Sequence, residues 1–208
     1  MRTAATEFVY LTQPRDKVAI HTLWNSLFHV VAPLSGDRAH LLSKIEEIPE
    51  VAGGSPIYDA LLLSGLQHPL YRNGEQPAIV VLTDGMDNQF EAPGRGSVIP
   101  FEKLRAAVAE WPIPIYTLLL PYESKDLQER GARNMKQISE VTGGRLFEIA
   151  SMRDLPVVYE QVEEELRSVY TIGYYPKNQS FDGSWRTVRV KVKRPGLTVR
   201  TRAGYRAE

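Results

Sequence analysis

Two short motifs in this sequence bear side chains that could bind a metal ion. Thr83-Asp84-Gly85 follows the apolar run AIVVL at residues 78–82, and Gly53-Gly54-Ser55 precedes a helical segment. In open α/β sheets, ligands bind beyond the carboxyl ends of the strands, which is where Asp84 falls. Hydroxyl and carboxylate oxygens are ligands that suit Mg²⁺. We therefore predict a site for Mg²⁺, or for Mn²⁺, at Ser55 and Asp84.

Each motif also has a purely structural interpretation. Thr83-Asp84-Gly85 is typical of a turn in which the aspartate side chain bonds the backbone that follows it. Ser55 directly before Pro56 is typical of a helix N-cap followed by proline at the first helical position. Taken alone, neither motif decides between the two interpretations.

Other polar residues offer weaker candidates. Asp87 and Asn88 extend the loop after Asp84, where they could rim or ligate the site, and solvated loop positions are the simpler interpretation. Asp59 lies in the first turn of its predicted helix, where it favours the helix dipole. The four histidines have no metal-binding spacing, and no G-x-S-x-G nucleophile motif occurs. The absence of cysteine excludes a thiolate zinc site, an iron–sulfur cluster and a cysteine nucleophile.

The elements that position these motifs alternate between strand and helix. Residues 78–82 and 113–120 are continuous apolar runs, which is typical of strands that helices bury on both faces of a parallel sheet. Helices are predicted at residues 56–67, 101–111, 126–141 and 154–169, with a further strand at 145–149. This order predicts an α/β fold with a mainly parallel sheet and right-handed crossovers.

Different patterns flank this alternating region. Before it, we predict a helix at residues 3–12, a β-hairpin from 17–23 and 28–31 around Asn25-Ser26, and a short helix at 37–48. After it, we predict a strand at 170–175 and an antiparallel hairpin from 187–193 and 197–203, with a type II turn at Pro195-Gly196. The alternation of valine with arginine and lysine gives this last hairpin one basic, solvated face.

The composition is that of a globular protein, and its charge is divided. Of 208 residues, 43% are hydrophobic and 24% charged, which excludes a mainly disordered or collagen-like chain. Equal numbers of basic and acidic residues, 25 of each, argue against a general nucleic-acid binder. Residues 1–168 hold 16 basic and 23 acidic residues, whereas residues 169–208 hold 9 and 2. The basic tail could dock on the acidic body, face an acidic partner or anionic envelope material, or simply be solvated.

The order of these elements and motifs resembles the von Willebrand factor type A (VWA) domain. A helix, a hairpin, a short helix, the loop and helix start Gly-Gly-Ser-Pro-x-x-Asp-Ala-Leu at residues 53–61, and an apolar strand ending in Thr83-Asp84-Gly85 follow one another as in that family. The tail, with its stretches at 170–176, 194–197 and 202–205, is similar to that of a bacterial VWA-related subfamily. We therefore predict a VWA-like domain at residues 1–169 and a C-terminal β extension at 170–208.

The resemblance implies a Rossmann-like sheet flanked by helices and a metal-ion-dependent adhesion site built from three loops. Ser55 matches the hydroxyl of the second loop. Asp84 matches the carboxylate of the third loop, which in the family usually acts through a water molecule. A partner protein would complete the coordination of the metal with an acidic residue. The function implied is therefore non-enzymatic protein binding of the adhesion type.

The sequence departs from the family at the first loop, which carries Asp-x-Ser-x-Ser there and is absent from this chain. In the family a methionine commonly follows that motif. We hypothesise that Met1 is internal to a longer natural chain, with the missing strand and an export signal upstream, which would make the protein secreted or periplasmic. Without that strand we expect Mg²⁺ binding to be weak or absent, and backbone donors and apolar faces to be exposed in the sheet.

Three functions are open from the sequence. The first, which we predict, is a non-enzymatic binding module. The second is a metal-dependent hydrolase, for which Asp84 and Asp87 are the available candidates for a base or nucleophile. The third is a structural interaction domain with a degenerate metal site, an interpretation that the missing first loop favours. No run approaches the roughly 18 apolar residues that span a bilayer.

Overall fold

The fold is described from a computed structural model, for residues 2–49, 54–67, 75–87, 96–122, 124–170 and 172–207. The helices are α1 (Arg2–Leu11), α2 (Arg38–Glu46), α3 (Ile57–Leu66), α4 (Phe101–Ala109), α5 (Lys125–Thr142) and α6 (Leu155–Arg167). The strands are β1 (Val18–Trp24), β2 (Leu27–Ser35), β3 (Ile79–Thr83), β4 (Ile115–Leu119), β5 (Leu146–Glu148), β6 (Trp185–Thr187) and β7 (Gly204–Arg206). None of the helices in these ranges combines the length and the apolar character needed to cross a membrane.

Strands β3, β4 and β5 form a parallel sheet in that order. Thr83 pairs with Leu119, and Leu119 pairs with Glu148, so the three strands end at one edge of the sheet. All five residues of the central strand β4 are buried. Helices alternate with the strands from β3 to α6, which confirms the predicted Rossmann-like α/β class.

The predicted β1–β2 hairpin turns at Asn25-Ser26. Both residues have positive φ angles, 52° and 60°, as in the two-residue type I′ turn whose twist matches that of an antiparallel pair. Trp24 pairs with Leu27 directly across the turn. The ring of His29 stacks on Trp24, with centroids 3.5 Å apart. Ring stacking therefore holds the strands together beside the turn.

Strand β3 is less buried than its apolar sequence predicts. Its first four residues are half-buried, and only Thr83 is buried. The cause is its second edge: in the described ranges β3 pairs with β4 alone, while β1 and β2 form a sheet of their own. An unpaired strand edge leaves backbone N–H and C=O groups without ladder partners.

Helix α1 bridges the two sheets on one face. Ala4 lies in a buried cluster against which Val80 of β3 packs. One turn further along the helix, Val9 lies in a separate cluster with Ile20 of β1 and Ala32 of β2. One amphipathic helix therefore contributes to the cores of both sheets.

Helix α3 bridges the same two sheets on the opposite face. Leu61 lies in the core cluster against which Val81 packs, and successive strand residues such as Val80 and Val81 point to opposite faces. The hydroxyl of Ser64 lies 2.9 Å from Nδ1 of His21 in β1. The two sheets are thus joined by packing of helices above and below.

The C-terminal arm, residues 170–207, contains the predicted antiparallel hairpin in the predicted register. Thr187 pairs with Gly204, and the N–H of Val188 donates to the carbonyl of Ala203 at 3.0 Å. If this pairing is continued residue by residue from both strands toward the tip of the arm, the turn is centred on Pro195-Gly196. Gly196 has a φ of 79°, as the third residue of a type II turn requires.

The extent of the predicted strands in the arm was wrong. The ladder covers β6 and β7 instead of residues 187–193 and 197–203, and the described residues of 170–175 form no strand. The reason is that the apolar side chains of these segments are poorly covered by the described residues: Val190 is 38% exposed and Leu197 57%. A two-stranded hairpin without a third strand or an apolar surface is marginal in water.

The base of the arm docks on the rest of the chain. Nη1 of Arg200 lies 2.7 Å from a carboxylate oxygen of Glu165, and Nε of Arg206 lies 2.5 Å from one of Glu110. The N–H of Ala203 donates to the carbonyl of Val141 at 3.2 Å. Two arginines of the basic tail thus pair with glutamates of the acidic body near the C-terminus.

Candidate functional site

The amino end of α3 is capped by a residue from elsewhere in the chain. The hydroxyl of Ser97 accepts hydrogen bonds from the N–H groups of Tyr58 at 2.9 Å and Asp59 at 3.0 Å. These are two of the donors that a helix leaves unsatisfied at its start. The prediction that Ser55 is the N-cap was wrong. Pro56 takes that position, because its ψ of 72° lies outside the helical region.

A buried carboxylate lies behind this cap. Asp87 is fully buried and accepts hydrogen bonds from the N–H of Ser97 at 2.9 Å and from the Ser97 hydroxyl at 2.5 Å. The N–H of Tyr58 lies 3.4 Å from the same carboxylate. A buried charge is tolerated only where donors surround it. The interpretation of Asp87 as a solvated loop residue was therefore wrong, while Asn88 lies outside the described residues.

The side chain of Asp59, in the first turn of α3, binds the backbone that follows Ser97. Its two carboxylate oxygens accept hydrogen bonds from the N–H of Val98 at 2.7 Å and of Ile99 at 3.0 Å. Asp59 therefore does more than favour the helix dipole. Together with Asp87 it ties residues 96–99 to the first turn of α3.

Tyr58 connects this network to α5. Its hydroxyl accepts a hydrogen bond from the side-chain amide of Asn134 at 2.8 Å, and its ring is 1% exposed. Burial, partly offset by the bond to Asn134, raises the pKa of Tyr58 to about 12. The phenol is therefore neutral throughout the physiological pH range.

The loop that follows β3 is folded by its own side chains. The N–H of Gly85 donates to the hydroxyl of Thr83, and the N–H of Met86 donates to Oδ1 of Asp84, each at 2.9 Å. The second bond closes the Asx turn that the structural interpretation of Thr83-Asp84-Gly85 predicts. One oxygen of Asp84 is thus already engaged within the loop.

Two glycines hold this loop against α5. Gly85 has a φ of 81°, and a Cβ at Gly131 would lie 2.5 Å from the carbonyl oxygen of Gly85. Such a distance is below any normal contact. Only glycine at position 131 allows the loop after Asp84 to approach the helix this closely.

The structure brings the loops of the two predicted metal ligands into contact. Ser55 lies three residues before Tyr58, and Asp84 lies three residues before Asp87. The approach of the Tyr58 N–H to Asp87 joins these loops at the carboxyl edge of the sheet. Both Ser55 and Asp84 are half-buried there.

The donors described at this edge do not complete a metal site. Across the described ranges, no three His, Cys, Asp or Glu side chains lie close enough together to hold a metal ion. The predicted pair offers one hydroxyl and one carboxylate, of which one oxygen accepts the Met86 N–H. Mg²⁺ needs six oxygen ligands in near-octahedral geometry. Ser55 and Asp84 would supply two of these ligands at most, and water would supply the others, as is usual for Mg²⁺.

Comparisons with known proteins identify the fold. No protein-family model and no curated protein matches this sequence. Among solved structures, the chain is similar to BatB, a conserved hypothetical protein from Bacteroides thetaiotaomicron, with a TM-score of 0.59 and 16% identity over 80% of this chain and 87% of that one. It is also similar to an aerotolerance-related membrane protein from Bacteroides fragilis, with a TM-score of 0.57 and 16% identity over 81% and 87%. At this identity the similarity shows a shared fold.

Proposed function

We propose that this chain is a non-enzymatic protein-binding module of the VWA kind, whose partner binds at the carboxyl edge of β3 and β4. The observation that carries the proposal is the contact between the loop after β3 and the first turn of α3, made by Asp87, Ser97 and Tyr58. Ligands of open α/β sheets bind at this edge. A surface fixed by buried hydrogen bonds binds a partner without first ordering its loops.

The hydrolase alternative is weaker on the same observations. It requires a general base or nucleophile beside a metal, and the sequence offers Asp84 and Asp87 for that role. Asp87 is fully buried and accepts both the N–H and the hydroxyl of Ser97. A carboxylate held in this way stabilises the loop and is not available to take a proton from a substrate. Of the two candidates, Asp84 alone remains as a general base or nucleophile.

For the metal we propose that Ser55 and Asp84 bind Mg²⁺ or Mn²⁺ weakly in this chain. Affinity would rise when a strand ending in Asp-x-Ser-x-Ser lies between β1 and β3. The unpaired edge of β3 and the helices α1 and α3, which lie above and below it, support this placement. The partner would then offer an acidic residue to the bound ion.

The test is a calorimetric titration of Mg²⁺ and Mn²⁺ into two proteins: the present chain, and a version with an added N-terminal strand that ends in Asp-x-Ser-x-Ser. We expect clear binding only in the extended version, and loss of that binding in its Asp84→Ala variant. Ser43→Ala, at an exposed position of α2, is the control. The metal-loaded version is then offered peptides that contain one glutamate, with their glutamine counterparts.

Three results would contradict the proposal. Failure of both versions to bind metal would leave the structural interaction domain as the better interpretation. Equal binding of glutamate and glutamine peptides would show that the partner does not bind through an acidic residue. Turnover of phosphoesters that is lost in Asp84→Ala would identify a hydrolase.

A further inference from the structure

The arm carries half of the large hydrophobic side chains that are exposed in the part of the chain that the structure describes. Of these 20 side chains, 10 lie between residues 170 and 199. Tyr170 is 85% exposed, Tyr175 95% and Phe181 82%. A concentration of apolar side chains on a surface of otherwise ordinary composition indicates an interaction site.

The tip of the arm combines this apolar character with unpaired positive charge. Val190 and Val192 alternate along the chain with Lys191 and Lys193, so that the segment carries apolar and cationic side chains next to one another. All four residues are exposed. In the described ranges, the ion pairs of the arm are those of Arg200 and Arg206 at its base, and neither lysine takes part in one.

The exposed face of α6 has the complementary character. Val157, Glu160 and Glu164 follow one another at intervals of three and four residues, which places them on one face of the helix. Val157 is 58% exposed, and both glutamates are exposed. Neither glutamate forms an ion pair with a described residue. This face therefore presents acidic groups around an apolar side chain.

A groove lies beside this face. It has a volume of about 860 Å³ and runs between β5, α6 and residues 199–201 of the arm. Leu146, Val158 and Val199 contribute its apolar lining. Gln161 of α6 and the charged side chains Arg145 and Arg200 also line the groove, which is therefore of mixed polar and apolar character.

We propose that the arm of one copy of this chain binds the α6 face of a second copy, with Lys191 and Lys193 opposite Glu160 and Glu164. The charge of the chain supports a second copy as the occupant, because residues 1–168 carry a net charge of −7 and residues 169–208 a net charge of +7. The protein as a whole is neutral and so meets no net repulsion from its own kind.

The arm and the α6 face lie side by side in one chain, since Arg200 binds Glu165 of α6. In a pair of copies related by a two-fold axis, each arm would lie on the α6 of the other copy, so that both surfaces would be used at once. The pairing is a closed dimer. The electrostatic attraction between the two copies weakens as salt is added, because the Debye length falls from about 30 Å at 0.01 M to about 3 Å at 1 M.

Sedimentation velocity of the whole chain tests this proposal with charge-reversal variants. We expect a dimer at low salt that dissociates at high salt, and a dissociation constant raised at least about tenfold in either Lys191→Glu/Lys193→Glu or Glu160→Lys/Glu164→Lys. The four substitutions combined should restore the dimer. Arg15→Glu/Lys103→Glu is the charge-matched control at exposed positions outside both surfaces, and it should behave as the parent chain.

Three results would overturn the proposal that the chain forms this dimer. A parent chain that stays monomeric at low salt and high micromolar concentration excludes the dimer. A dimer that survives both double variants has another interface. If the monomer binds phosphatidylserine vesicles and Lys191→Glu/Lys193→Glu abolishes that binding, the arm faces a membrane and not a second copy. Circular dichroism of each variant verifies that its fold is intact.

Discussion

Ser97 donates both its backbone N–H and its hydroxyl to the carboxylate of Asp87, ten residues earlier in the chain. The same hydroxyl oxygen accepts the N–H groups of Tyr58 and Asp59. One small side chain therefore links a buried charge to the start of a helix. The loop after β3 and the first turn of α3 are held as one unit, and the proposed binding edge depends on it.

The first prediction concerns this serine. Ser97→Ala removes a hydroxyl that joins Asp87 to α3, so that a buried carboxylate and two helix N–H groups each lose a partner. We expect the free energy of unfolding to fall by about 1–3 kcal/mol. Urea denaturation measures it. Ser43→Ala, on the exposed side of α2, is the matched control and should change stability by less than about 0.5 kcal/mol. Equal effects in both variants would contradict the assigned role.

The second prediction concerns the close approach of the loop to α5. Gly131→Ala improves helix propensity by about 1 kcal/mol, but its Cβ would lie 2.5 Å from the carbonyl oxygen of Gly85. Because both sides of this contact are backbone, we expect overpacking to dominate and to lower stability by about 1–3 kcal/mol. Thermal unfolding measures the change. Gly173→Ala, where a Cβ would meet nothing within 4 Å, is the control, and a stabilised Gly131→Ala would refute the contact.

The third prediction is a loss of stability at alkaline pH. Burial raises the pKa of Tyr58 and of Tyr116 from 10.0 to about 12. The unfolded chain ionises these phenols near pH 10, whereas the folded chain keeps them neutral. Their contribution to stability is therefore intact below about pH 10 and is lost as the pH rises toward 12, by up to about 1.4 kcal/mol per pH unit for each tyrosine.

Urea denaturation across this pH window, with phenolate absorbance in parallel, tests the effect. Tyr116→Phe should reduce the slope of stability against pH. Tyr10→Phe, at a position that is 59% exposed, is the control. A slope that Tyr116→Phe leaves unchanged would show that this phenol ionises equally in both states.

The fourth prediction concerns Glu165, which lies 3.2 Å from Arg145 and 2.7 Å from Arg200. Glu165→Gln should cost less than about 1 kcal/mol of global stability, because both arginines are partly exposed to water. It should nevertheless release the arm and speed tryptic cleavage after Arg200. Glu129→Gln, which removes an exposed pair within α5, is the control. Cleavage at the same rate in both variants would show that Glu165 does not hold the arm.

The sequence predicts the fold well where pattern and burial agree. The apolar run at 113–120 predicts β4, and the alternation of strand and helix predicts the parallel sheet. At Asn25-Ser26, turn-forming residues between two apolar segments predict the hairpin. The predicted strands of the arm were too long, because the alternation of apolar and polar residues indicates only which side of a strand would be apolar. It does not report whether a surface exists for that side to cover.

The sequence predicted where Ser55 and Asp84 lie in the fold, but it did not predict the hydrogen bonds around them. Ser55 and Asp84 lie at the predicted edge, but the residues that organise it are Asp87 and Ser97. Ser97 belongs to no motif, and its partners lie ten and about forty positions away along the chain. Long-range pairing of this kind follows from the tertiary fold. A single sequence therefore contains no local signal from which to predict it.

The bridging of two separate sheets by α1 and α3 has a consequence for how the protein opens. The β1–β2 hairpin and the β3–β4–β5 sheet have no common ladder in the described ranges, so no backbone cooperativity passes directly between them. We therefore expect the hairpin, with α2 packed on it through Leu41 and Ile45, to open as a foldon in its own right. Its amides should exchange with solvent at a lower opening free energy than those of β4, which is buried along its whole length.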